Sequence, residues 1–86
     1  MRRDSDFFGD EELDLVYIAK RLREAKRAEE ALDAAEIDYA VEVDKYLGGF
    51  LFKRELDGAF FYVRGQSLDA ARAAVAGAGL KIVEPT

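Results

Sequence analysis

Residues 39–64, YAVEVDKYLGGFLFKRELDGAFFYVR, decide the fold. Tyr39, Val41 and Val43 alternate with Ala40, Glu42 and Asp44, the period-two pattern of a strand with one buried and one wetter face. Leu47-Gly48-Gly49 breaks that alternation. A second β-like run extends from Phe50 to Leu56. Asp57-Gly58 has the composition of a two-residue hairpin turn, and Ala59 to Arg64 resumes the β pattern with Phe60, Phe61, Tyr62 and Val63. The stretch therefore predicts two or three hairpin strands, with Lys45–Leu56 forming a protruding extension or an extra strand. Phe50, Phe52 and Leu56 share one face of their run, with Leu51 on the other. Ala59, Phe61 and Val63 alternate with Phe60 and Tyr62, so apolar side chains point both ways.

Helical patterns flank this β region. From Arg21 to Glu36, Leu22, Ala25, Ala28, Leu32 and Ala35 recur at three- and four-residue spacing and predict an amphipathic helix. After Gly65-Gln66, Ser67 is placed to cap a second helix, with Asp69 in the first turn, where negative charge suits the helix dipole. Leu68, Ala71, Ala74, Val75 and Ala78 form its stripe. Gly79 followed by Leu80 predicts a left-handed Schellman ending. Leu13 to Lys20 reads as a first strand with apolar residues in both alternating sets, and Lys81 to Glu84 as a short last strand ended by Pro85. The order strand, helix, hairpin strands, helix, strand predicts an α+β fold. Its simplest closure is a split βαβ, ferredoxin-like sandwich: an antiparallel sheet, two helices on one face and an extended β-hairpin. Right-handed crossovers place the first and last strands side by side.

The chain has 86 residues, which is one domain, here assigned to 13–86 and preceded by a mobile acidic arm over 1–12. In the arm, Asp4, Asp6, Asp10, Glu11 and Glu12 repel one another, and Phe7-Phe8 interrupts the charge. Those rings either dock into a partner or fold back on the domain's own apolar surface. Met1-Arg2-Arg3 runs directly into Asp4-Ser5-Asp6, so no secretory leader is expected. No apolar run approaches the roughly 20 residues of a membrane span, and a cytoplasmic location is expected.

The chemistry available is narrow. There is no Cys, His or Asn, Gln66 is the only side-chain amide, and Ser5, Ser67 and Thr86 are the only aliphatic hydroxyls. This removes thiol nucleophiles, imidazole acid–base chemistry and the commonest metal ligands. The expectation is a protein that is not an enzyme and holds no cofactor or metal. Asp10, Glu11, Glu12 and Asp14 lack the spacing of a calcium loop. With 13 basic against 18 acidic residues the formal charge is -5, which argues against general nucleic-acid binding.

Between residues 13 and 84 the order and spacing resemble a known family. Val16-Tyr17 leads into an Ala/Glu-rich helix ending Leu32-Asp33-Ala34-Ala35-Glu36-Ile37. An Ala40-Val41-Glu42-Val43 strand follows, and later come Phe61-Tyr62-Val63 and Ser67-Leu68-Asp69-Ala70-Ala71-Arg72. This resembles the small bacterial family of putative prokaryotic signal transducing proteins, whose build is ferredoxin-like and PII-like. The resemblance implies a small regulatory domain and carries over no catalytic residues. Glu36 departs from the family's usual Gly before the Ile, and Lys45–Leu56 is unusually aromatic.

Three surfaces follow as candidates. Two helices cover one sheet face, so Phe50, Phe52, Phe60 and Tyr62 are expected to contact a second copy, as a homodimer, or another protein partner. Phe7 and Phe8 are the contact residues if the arm docks a larger complex. Lys20, Arg21, Arg23, Lys26 and Arg27 place five cations in eight residues at a helix start. There Arg21, Arg23 and Arg27 would hold a small anionic ligand such as a phosphate or nucleotide. The alternative is a solvated face that compensates the neighbouring acids.

Overall fold

The computed structural model describes residues 1–48 and 54–83. Strand β1 (Leu13–Ala19) leads into helix α1 (Leu22–Ala34). Two long strands, β2 (Tyr39–Gly48) and β3 (Arg54–Arg64), follow, and helix α2 (Leu68–Gly77) comes last among the helices. The strands form an antiparallel sheet of order β1-β3-β2, giving an α+β architecture compatible with a small ferredoxin-like fold. Phe50 and Phe52, and with them the tip of the expected protrusion, lie outside the described residues.

Both helices pack on one sheet face. Ala28 and Leu32 of α1, Ala71 and Val75 of α2, and Tyr17, Tyr39, Phe61 and Val63 of the strands form a single buried cluster. Phe61 sits at its centre, its ring 6.0 Å from Tyr17 and 5.9 Å from Tyr39. The α1 stripe is narrower than its spacing implies. Ala28 and Leu32 are buried, but Leu22 and Ala35, at the two ends, are exposed.

Three local expectations are corrected, and β1, present as expected, carries one irregularity. The chain does not turn at Asp57-Gly58. Gly58 pairs with Asp44 and Asp57 with Lys45 within a ladder that runs unbroken from Tyr39↔Val63 to Gly48↔Arg54. A continuous ladder with alternating apolar pairs outweighs the local turn preference of one dipeptide. Ser67 does not cap α2 with its side chain. It closes a 3₁₀ turn, Gly65–Ser67, and its own backbone is helical, whereas a capping residue needs extended backbone. In β1 the pairing shifts between Leu15 and Tyr17, so Val16 is a bulge and Val16 and Tyr17 are buried in succession. Finally, residues 81–83 form no strand. One bond ties them to the outer edge of β1, Val83 N–H donating to Val16 O at 3.0 Å. The bulge at Val16 disrupts the regular spacing of edge groups that a longer ladder needs.

The arm lies against the domain. Tyr39 N–H donates to Met1 O at 3.1 Å and Arg3 N–H donates to Tyr39 O at 2.8 Å, a parallel bridge on the outer edge of β2. The chain then makes a 3₁₀ turn, Ser5–Phe8, and buries Phe8.

Both helices end in the same motif. Ile37 N–H donates to Leu32 O and Glu36 N–H to Asp33 O; Leu80 N–H donates to Val75 O and Gly79 N–H to Ala76 O. These are the paired bonds of a Schellman ending, with buried Ile37 and Leu80 as the apolar residues that follow. The left-handed residue is Gly79 at the second end, as expected, with φ 83°, but Glu36 at the first, with φ 57°. A side chain there costs about 1–2 kcal/mol, partly offset by the greater unfolded-state entropy of glycine. Glu36→Gly should therefore stabilise the domain by about 1 kcal/mol. Gly79→Ala should destabilise it by about 1–2 kcal/mol. Its new Cβ also lies 3.3 Å from Arg27 Nη2, which donates to Ala78 O and leaves little room to yield. Urea denaturation of the two variants checks both signs; a loss on Glu36→Gly would contradict the left-handed ending.

Candidate interaction surface

The cross-strand pairs sort the described side chains of the sheet by face. Phe61 pairs with Tyr17 and Val41, and Ala59 with Ala19 and Val43, all toward the helices. The opposite face carries Leu15↔Tyr62, Ile18↔Phe60, Ala40↔Tyr62, Glu42↔Phe60 and Asp44↔Gly58. Of these, Leu15, Ile18, Phe60 and Tyr62 are half-buried, and no helix covers them. Phe60 and Tyr62 thus stand together on the helix-free face, with Ile18 and Leu15 beside them.

Phe8 and Ala40 are buried yet stand apart from the helix-side core. The Arg64 guanidinium lies 5.1 Å from the Phe8 ring and 5.5 Å from that of Phe7, and Arg64 Nε donates to Glu11 at 2.9 Å. Arg3 stacks at 4.5 Å over Phe7. Arg64 pairs with Leu13 on the helix-free face, so the arm covers that face at the Leu13–Arg64 end. Phe8 is spent within its own chain, whereas Phe7 remains 47% exposed.

Of the three arginines of the expected anion site, Arg21 precedes α1 in extended backbone and is exposed, while Arg23 and Arg27, four apart, lie on successive turns of one side of the helix. Arg27 is turned onto the C-terminal end of α2 through Ala78 O. There its charge suits the helix dipole. Among the described residues no group of acids is arranged to hold a metal ion, and no helix is long and apolar enough to cross a membrane.

A second apolar feature escaped the periodicity. Leu22 is 79% and Val43 78% exposed, and both line one groove floored by Ala19, Ala25 and Ala59. Val43 has the right parity for the core, but its place near the start of α1 leaves it uncovered. The length of the β2–β3 ladder is the signal that finds it.

Buried tyrosines supply the main electrostatic feature. Burial first, then the nearby negative charges of Glu29 and Asp33, raise the Tyr39 phenol well above its ordinary value of 10.0. Burial and Glu24 raise Tyr17; burial, Glu42 and Asp44 raise Tyr62. A raised phenol binds its proton more tightly in the folded state. Stability is then flat below the ordinary value and falls as pH rises above it, by up to about 1.4 kcal/mol per pH unit for each such group. Tyr39→Phe should remove one such contribution. Urea midpoints from about pH 9 to 11 should fall less steeply for the variant than for the wild type. Parallel slopes would show that Tyr39 does not carry the effect.

No known protein family, curated protein or solved structure matches the chain.

Proposed function

We propose that this chain is a non-enzymatic protein-interaction domain, regulatory and cytoplasmic, whose helix-free sheet face packs against a second copy. One observation carries this: β1 and β3 carry apolar side chains on both faces, and the helices cover one. Phe60, Tyr62, Ile18 and Leu15 form an uninterrupted apolar strip across β1 and β3. Such a strip on a small domain marks an interface, and symmetric dimers are the commonest closed assembly. A ferredoxin-like build is part of the proposal. Val83 beside Val16 puts the C-terminal segment on the far side of β1, as the fourth strand of that fold would be. The regulatory role rests on the sequence resemblance over residues 13–84. The lack of His, Cys and Asn supports a non-catalytic role.

Light scattering across concentration tests the assembly. The wild type should weigh as a dimer. Phe60→Ser with Tyr62→Ser should weigh as a monomer with an unchanged far-ultraviolet spectrum. A wild type that is monomeric at every concentration, or a double variant that still dimerises, rejects the sheet-face interface.

A further inference from the structure

The outer edge of β2 has open backbone groups in a specific place. β2 is an edge strand; the outward N–H of Tyr39 donates to Met1 O, and its outward C=O accepts from Arg3 N–H. Outward groups recur every second residue, so those of Val41, Val43 and Lys45 come next. The Lys45 N–H is already satisfied, donating to Asp44 Oδ1 at 2.7 Å. The N–H and C=O of Val41 and Val43 have no partner among the described residues.

The side chains beside these groups are sorted by face. Val41 and Val43 point to the helix side, where Val43 is 78% exposed at the rim of the Leu22 groove. Glu42 and Asp44 are exposed on the other side. We propose that this edge, residues 41–45, takes an extended peptide as an added strand, one in which cationic and apolar side chains alternate. The peptide's backbone pairs with Val41 and Val43. Its apolar side chains extend the Val41–Val43 surface, and its cations lie across from Glu42 and Asp44. Opposite charges in facing strand positions are favourable and like charges unfavourable, and main-chain pairing gives such complexes their affinity.

A second copy does not fit this edge. In a two-fold antiparallel pairing centred on Val43, Glu42 faces the partner copy's Asp44 twice. Centred on Glu42 or on Asp44, that acid faces its own counterpart. Centred on Lys45 the two lysines oppose each other, and centred on Val41 the pairing runs onto Tyr39, whose outward groups the arm already takes.

The test uses heptapeptides of alternating Lys and Val, alternating Glu and Val, and the Lys–Val composition shuffled out of alternation. Amide hydrogen exchange of Val41 and Val43 is the readout. The alternating Lys–Val peptide should slow both amides about tenfold or more at saturation, and the other two should leave them unchanged. In a Glu42→Lys, Asp44→Lys variant, which changes two exposed side chains and frees the Lys45 N–H from Asp44 Oδ1, the preference should pass to the Glu–Val peptide. Failure of the Lys–Val peptide to protect the two amides overturns the proposal. Protection indifferent to alternation, or to the charge reversal, does so equally. The Phe60→Ser, Tyr62→Ser protein should still show this protection, because its changes lie on β3 and leave the β2 edge and its two acids in place.

Discussion

Phe61→Ala should destabilise the domain by about 4 kcal/mol, whereas Phe60→Ala, one residue earlier, should cost about 1–2 kcal/mol. The two side chains are chemically identical and adjacent, so the difference isolates the face of the sheet. Phe61 is fully buried and lies against Tyr17 of β1 and Tyr39 of β2, bridging the neighbours on both sides of the central strand. Truncation there loses the ring's burial and leaves a cavity among side chains that are themselves large and fixed. Phe60 is half-buried on the helix-free face, where solvent fills the space it vacates. Small domains hold only about 5–15 kcal/mol in total, so Phe61→Ala leaves the native state marginal. Urea denaturation at low protein concentration measures both. Equal losses would contradict the face assignment. Repetition at higher concentration adds a second test, because a side chain in a self-interface costs more when the dimer is populated.

How much of this was legible in the sequence depends on the range of the interaction concerned. The two helices were legible because three- and four-residue spacing is local. α1 was expected over 21–36 and spans Leu22–Ala34, and the Gly79–Leu80 ending of α2 needed only the conformational freedom of one glycine. Alternation also put Phe60 and Phe61 on opposite faces. It did not say which face meets the helices, since that depends on crossovers spanning tens of residues. The errors lie where a long-range ladder overrides a local preference. Asp57-Gly58 is a turn dipeptide held inside a strand by pairing with Lys45 and Asp44, and the bulge at Val16 has no local signature at all. In the basic run at the start of α1, sequence shows the four-residue spacing of Arg23 and Arg27 but not the bond that Arg27, exposed like Arg23, gives to Ala78 O. The open edge at Val41 and Val43 was invisible for a further reason. It exists because the arm stops pairing after Tyr39, a contact between residues more than thirty positions apart.

That contact makes the arm the second place where a single side chain has a large effect. Phe8→Ala should cost about 3 kcal/mol, against less than about 1 kcal/mol for Phe7→Ala. Phe8 is 3% exposed and Phe7 47%, although both rings lie near Arg64. The burial of Phe8 does more than remove its own area from water. It fixes the 3₁₀ turn from which Met1–Arg3 reach back to Tyr39, and it does so within a segment whose acids repel one another. Losing the anchor should therefore release the parallel bridge as well. The Tyr39 amide, which donates to Met1 O, should exchange faster in Phe8→Ala by more than the global loss of stability accounts for, while amides of the β1–β3 ladder should follow the global loss alone. If the arm moved freely, neither stability nor Tyr39 exchange would respond to Phe8. If both respond, the arm is a structural element of the sheet. The stretch open to an added strand then begins at Val41 because the chain itself occupies Tyr39, and Phe8→Ala should lengthen that stretch by one pairing position.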